Sequence, residues 1–247
     1  MRANNRAFDE LRPVKIRPDY LDFADGSAYI EIGKTRVVAA ATIEEKVPLF
    51  LKNTSSGWIT AEYSMLPRAT EKRTMRERIQ GRLSGRSQEI QRLIGRSLRS
   101  VTDLSLLEEK SIILDCDVIQ ADGGTRAASV TAACVALALA LKKMLDRKMI
   151  QCMPLNRLVA AISVGLLHGE LILDLDYSED SKAEIDMNVA ETDKGQLVEV
   201  QASAEKNPFS RKELGTLLHL ADKGISELIQ MQKEVLKKKN IALGFTG

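Results

Sequence analysis

Asp115-Cys116-Asp117-Val118-Ile119-Gln120-Ala121-Asp122-Gly123-Gly124-Thr125-Arg126 joins a strand-like run to the most apolar helix-like run of the chain. Upstream, Ile112, Leu114, Cys116 and Val118 alternate with polar residues, the two-residue period of a strand with one face in a core. Asp115 and Asp117 then share the opposite face. Downstream, residues 127–145 are rich in Ala and Leu and hold neither Pro nor Gly, which predicts a long buried helix. Between the two, glycines permit a sharp turn and a close backbone approach, and the first amides of the following helix are unpaired donors at the positive end of its dipole. Gly124, Thr125 and Arg126 therefore form a candidate phosphate cradle. Neither the G-x-G-x-x-G nor the G-x-x-x-x-G-K-[ST] spacing is present, and a plain glycine turn whose Thr caps a core helix fits the same residues.

The chain has 247 residues, enough for one large domain or two small ones, with one expected, and its 44% hydrophobic and 28% charged residues are the balance of a folded globular protein. The net charge of +2 is uninformative, but its distribution is not: Arg and Lys crowd between Arg68 and Arg99, and acids dominate from Glu170 to Glu205. Cys116, Cys134 and Cys152 are odd in number, well separated and without a C-x-x-C pair, which fits reduced thiols better than a disulfide frame or a zinc site. With two histidines, His168 and His219, histidine-based metal or triad chemistry has little to work with. The start lacks the apolar core of a signal peptide, and no run approaches about 18 apolar residues free of charge. A cytoplasmic protein without membrane attachment is the expectation.

Ahead of the central strand, Gly26-Ser27 and Gly33-Lys34 bracket a hairpin whose second arm, Val37 to Ala41, reads as covered on both faces. Trp58 to Tyr63 reads as another strand. From Met65 to Gly85 the apolar pattern fades while basic residues accumulate, among them Arg68, Arg73 and Arg76. Such a long excursion suits either a polyanion contact or a merely solvated loop, since Glu71 and Glu77 offset part of its charge. A helix follows on the stripe Ile90, Leu93, Ile94, Leu98 and Val101, with Ser87 as its expected N-cap. Arg92, Arg96 and Arg99 make a basic ridge along another face, able to track phosphates or simply solvated. Arg86, just before the expected cap, sits at the helix's positive end, an odd place for a cation unless an anion joins it.

Beyond Pro154, Leu158 to Leu167 and Glu170 to Asp176 read as a hairpin turned at His168-Gly169. An acidic loop, residues 179–186, then enters a strand on which Glu184, Asp186 and Asn188 share one face. Carboxylates gathered at a strand entrance suit divalent-metal binding or proton donation, and a soluble acidic loop is the plainer alternative. Gln196 to Ala202 is a further strand, and Ser210-x-x-Glu213 is a capping box opening a last helix. A phosphate cradle, basic surfaces and carboxylates together suit phosphodiester chemistry, with water or phosphate as nucleophile.

Leu11-Arg12-Pro13-Val14, Gly57 through Tyr63, Met65-Leu66-Pro67-Arg68, Ser84-Gly85-Arg86-Ser87, Glu89-Ile90-Gln91-Arg92, Leu114 through Arg126, Glu179-Asp180-Ser181 and Asp186-Met187-Asn188-Val189 follow one another in this order. The series, spread over nearly the whole chain, resembles the ribonuclease PH family of phosphorolytic 3′-to-5′ exoribonucleases, which trim tRNA precursors. The resemblance implies an α+β fold of two βαβα-like halves in a single domain, residues 1–247, assembled as a hexameric ring of dimers. It implies that Arg86, Gly124, Thr125 and Arg126 bind inorganic phosphate as co-substrate, and that Asp180 and Asp186 hold Mg²⁺ or supply the acid. It assigns Arg68, Arg73 and Arg76 to RNA, and the ridge Arg92, Arg96 and Arg99 is expected to serve the same polyanion. Two rivals remain on sequence grounds. One is a catalytically silent RNA-binding ring subunit of an exosome-like assembly; the other is polynucleotide phosphorylase, although this chain has no duplicated half. Asn53-Thr54-Ser55-Ser56 departs from the family, which often has glycines there.

Overall fold

In a computed structural model that describes residue 2 and residues 5–243, helix α2 (Thr125–Asp146) lies between two β-sheets. Every residue from Ala127 to Leu141 is buried, so α2 has no amphipathic stripe and must be covered on all sides. It is long and apolar enough to cross a membrane by composition alone, but 83% of that window is buried inside the protein, where it serves as core.

The first sheet has the order β1-β2-β3-β5-β4, built from Val14–Pro18, Gly26–Ile32, Thr35–Glu44, Trp58–Met65 (β4) and Ser111–Gln120 (β5). Its neighbours are antiparallel except β4 and β5, which run parallel because the chain between them crosses over through helix α1 (Gly85–Ser100). The second sheet, β7-β6-β8-β9, is antiparallel throughout and comprises Val159–Leu167 (β6), Glu170–Leu173 (β7), Ile185–Thr192 (β8) and Leu197–Ala204 (β9). A single-turn helix α3 (Tyr177–Asp180) joins β7 to β8, and α4 (Arg211–Lys238) closes over β6. The result is the expected α+β fold with mixed strand directions. The first half contains a literal β4-α1-β5-α2 unit, whereas α3 is the one short helix in the corresponding place of the second.

The periodicities translate directly. Ile112, Leu114, Cys116 and Val118 of β5 are buried, while Asp115 and Asp117 look outward. Ser210 and Glu213 make the reciprocal bonds of a capping box at the start of α4. His168 and Gly169 turn the β6–β7 hairpin with φ of 52° and 77°. The three cysteines are unpaired.

Three expectations are corrected. Ser84, not Ser87, caps α1: its Oγ accepts the Ser87 N–H at 3.1 Å, while the Ser87 hydroxyl is buried and donates to Glu77 at 2.6 Å. Arg86 thus belongs to the first helical turn rather than preceding it. Strand β3 is fully sealed on one face only; Val37, Ala39 and Ala41 are fully buried, while on the other face Val38 is buried, Ala40 half-buried and Thr42 exposed, because α1 and α2 lie on the same side of the sheet. Finally, β7 stops at Leu173, well short of Asp176, because Asp174 adopts φ of 54° and turns its carboxylate into the interior.

Gly26 shows how closely sheet and helix approach: a Cβ there would collide with the Ala136 carbonyl oxygen and the Ala140 nitrogen of α2. Backbone cannot yield as a side chain can. Gly26→Ala should cost about 1–3 kcal/mol, measured as a fall in the urea midpoint with an unchanged slope.

Candidate active site

Two glycines make the turn into α2 possible. Gly123 and Gly124 have φ of 76° and 67°, and a Cβ on Gly123 would strike the Leu175 carbonyl and Asp176 backbone. Around them, Thr35 Oγ1 donates to the Gly123 carbonyl at 2.6 Å and accepts the Asp122 N–H at 3.0 Å. The first helical bond runs from the Ala128 N–H to the Gly124 carbonyl at 3.0 Å, so the amides of residues 125–127 precede the ladder and point out of the helix's positive end.

Side chains from both halves converge on this end. Thr125 is buried, with its hydroxyl 2.9 Å from that of Tyr63 on β4. Burial pushes the Tyr63 phenol up, opposed by Thr125, Arg86 and Arg126. Arg126 bonds Gln201 of β9 and Glu89 of α1, the latter at 3.2 Å. Arg86 is exposed on the first turn of α1 and faces a cleft of about 710 Å³ shared with Tyr63, Arg76, Gln91, Glu62 and Asp117.

The two acids singled out in the sequence lie within electrostatic reach of the two arginines. Asp180 ends α3, and Asp186 lies on β8 directly across from Gly165 of β6. Burial raises both carboxyls above the ordinary range; Arg86 and Arg126 pull both back, and Asp180 pushes Asp186 further up. Asn188, on the same face of β8, donates to the two Asp186 oxygens at 3.3 and 3.4 Å. Among the described residues no three His, Cys, Asp or Glu side chains cluster as a metal site. Two mutually repelling, half-buried carboxylates do fit a magnesium ion, which commonly takes one or two protein carboxylates and completes its shell from substrate phosphate and water.

The other predicted residues divide. Arg68, Arg73 and Arg76 are exposed in residues 66–84, whose regular structure is one short 3₁₀ turn. Arg92 is exposed, and Arg96 pairs with Glu199. Arg99 has turned inward instead of completing a ridge: it stacks over Trp58 at 4.4 Å and donates to the Ile59 carbonyl at 2.8 Å, trading solvent for an aromatic face. Tyr63, Gln201, Asn188 and the Arg12–Asp174 ion pair were not anticipated. Of these, Asn188 left a signal in its place on the Asp186 face of the strand, and Tyr63 and Arg12 in the quoted motifs; Gln201 left none.

A model described as "3′ exoribonuclease family, domain 1" matches residues 10–143, and one described as "3′ exoribonuclease family, domain 2" matches residues 157–224. The chain belongs to the 3′ exoribonuclease family. Proteins named ribonuclease PH are 61% identical in Moorella thermoacetica, over 96% of this chain and 94% of that protein, and 54% identical in Solibacter usitatus, over 96% and 100%. Among solved structures, rice Rrp46 superposes with a TM-score of 0.76 at 22% identity, covering 95% of this chain and 100% of Rrp46. The Archaeoglobus fulgidus exosome with RNA bound to its active site gives 0.77 at 22% identity, covering 96% and 92%. At that identity the two structures establish the family's fold and nothing finer.

The raised Asp186 carboxyl has a consequence for stability. Its folded pKa lies above the unfolded value, so between the two the native state holds more protons and stability falls as pH rises. Above that window the ionised carboxylate is a standing cost to the fold. Asp186→Asn should therefore melt higher than the parent at pH 7 in phosphate-free, metal-free buffer, and the gain should vanish below about pH 3, where the unfolded carboxyl is also protonated. Calorimetry at the two pH values checks it; a variant less stable at both contradicts it.

Proposed function

We propose that Arg86, Arg126 and the amides beginning at Thr125 hold the attacking phosphate in the reaction this chain performs, the phosphorolytic 3′-to-5′ shortening of RNA. The observation that carries the assignment is the start of α2, where Thr125 meets Tyr63 and Arg126 reaches both α1 and β9, with Arg86 and the two carboxylates within electrostatic reach. An oxygen of inorganic phosphate attacks the phosphorus of the terminal phosphodiester, the bond to the 3′ oxygen breaks, and a nucleoside diphosphate departs. The guanidiniums offset the repulsion between two approaching phosphates. Asp180 or Asp186, whose carboxyls burial shifts up, protonates the departing 3′ oxygen. When Mg²⁺ is bound by these carboxylates, it supplies Lewis-acid stabilisation of the same oxygen. Because the product keeps a phosphoanhydride bond, the step runs in both directions and can add nucleotides to RNA 3′ ends.

The exposed Arg68, Arg73 and Arg76, with Arg92 and Arg96 of α1, are assigned to RNA capture, and Arg99 to holding Trp58. The substrates proposed are the 3′ ends of tRNA precursors and other RNAs in the cytoplasm. A hexameric ring is the proposed assembly, since arginine segments from several copies would then face one RNA. The two matched halves act as a single catalytic domain in this reading, because one buried cluster runs through α2 from sheet to sheet and the site draws on both. A silent RNA-binding subunit is disfavoured, as Arg86, Thr125, Arg126, Asp180 and Asp186 are all present.

Arg126→Ala should lower kcat/KM for phosphate by roughly thirty- to a thousandfold, the loss of a charge-assisted contact of about 2–4 kcal/mol, with RNA affinity nearly unchanged. Asp186→Asn should instead suppress turnover even at saturating phosphate. Trimming by the parent in phosphate-free buffer, yielding monophosphates, would falsify the phosphorolytic assignment.

Replacing Arg68, Arg73 and Arg76 together by Ala should raise KM for tRNA precursors and flatten the salt dependence of binding, because fewer counterions are released. Filter binding across a salt series measures this, and an unchanged slope would remove these arginines from the RNA path.

A further inference from the structure

Arginine is seldom buried, yet Arg2, Arg6 and Arg12 in the segment ahead of β1 are 7%, 7% and 4% exposed. They surround two buried carboxylates, Asp174 and Glu179. Arg12 grips both oxygens of Asp174, at 2.9 Å through Nε and 2.6 Å through Nη2, and its backbone N–H adds a third bond at 2.8 Å. The same guanidinium donates through Nη1 to the Asp122 carbonyl, immediately before the Gly123-Gly124 turn that Thr35 holds from the other side. Arg2 forks onto both oxygens of Glu179 at 2.8 Å and reaches the Asp174 carbonyl at 3.0 Å. Glu179 also accepts the Asp176 N–H at 3.1 Å, which closes the cap of α3, and the next residue is Asp180.

A buried ion network is a poor way to gain stability, since desolvation consumes most of the attraction, but its fixed forks are a good way to fix geometry. This network touches the site at two separate places. We infer that the N-terminal segment is a two-ended positioning strap: Arg12, with Asp174 and Thr35, sets the turn that presents the amides of residues 125–127, and Arg2, with Glu179, sets α3 and hence Asp180. The inference rests on the phosphate and acid roles proposed above. Arg12, Thr35 and Arg2 are positioning residues and touch no reactant.

The two ends have opposite kinetic signatures. Arg12→Lys keeps the charge but cannot span Asp174 and the Asp122 carbonyl, so KM for phosphate should rise roughly tenfold while kcat at saturating phosphate stays within about threefold. Thr35→Val removes one hydroxyl without changing shape and should move KM in the same direction, whereas Thr35→Ser should restore it. Arg2→Ala should lower kcat about tenfold and leave KM for phosphate within about twofold. Melting temperatures are recorded for each variant, and Thr35→Val decides the phosphate end if Arg12→Lys does not fold. A merely structural network would lower the active fraction and the melting temperature together without this split. The strap is overturned if Thr35→Val leaves KM for phosphate within twofold, or if Arg2→Ala changes KM rather than kcat. Arg126→Ala, assayed alongside, separates the two failures: if it too leaves phosphate KM unchanged, the phosphate site itself is misplaced; if it raises KM while the strap variants do not, only the strap is lost.

Discussion

Helix α2 has to be covered on every side, because Ala127 to Leu141 offer water no polar face. The two halves of the chain meet that demand from opposite flanks, β2 and β3 on one and β6 on the other. Small side chains make the fit close: Ala136 and Ala140 leave room for the backbone at Gly26. Gln232 of α4 stitches the second flank down, donating to the Thr131 carbonyl at 2.9 Å and to the Val159 carbonyl at 3.1 Å. A helix sandwiched in this way presents its positive end at the seam between halves, so the site can draw on α1, β4, β8 and β9 together.

At that seam the charges are balanced against one another rather than neutralised. Arg86 and Arg126 restrain the rise that burial imposes on Asp180 and Asp186. With phosphate bound to the arginines as proposed, its negative charge cancels part of their pull and drives both carboxyls further toward the protonated form. In that proposal the two sides of the reaction are linked through the field of the bound phosphate.

Much of this was legible in the sequence, because its strongest signals are local. Alternation in β5, the unbroken Ala-Leu run of α2 and the Ser210–Glu213 box each depend on residues a few positions apart. Arg86, Arg126, Asp180 and Asp186 could be named individually, and the order of short motifs pointed to the family. Features set by distant partners were hidden. Asp174 looked like one more polar residue in an alternating arm, and only the approach of Arg12, 162 residues away, explains why its backbone turns left-handed and its carboxylate goes inside. Arg99 looked solvated until Trp58, from another element, lay beneath it. The choice between Ser84 and Ser87 as cap was decided by Glu77, which the loop folds back to meet the second serine.

The crossover between β4 and β5 separates two properties that most enzymes must change together. Residues 66–84 hang from this connection, pinned near its start where the Ala121 N–H donates to the Ala69 carbonyl at 2.8 Å, and α1 carries the chain back. Closing a longer loop costs only about 0.6 kcal/mol for each doubling of its length. The arginine-bearing segment can therefore lengthen, shorten or exchange charge with little effect on the parallel pair it connects, while Gly123, held by Thr35 and set against the backbone at Leu175 and Asp176, tolerates almost no change. Such a layout lets divergence act on an exposed basic segment and leaves the turn into α2 fixed.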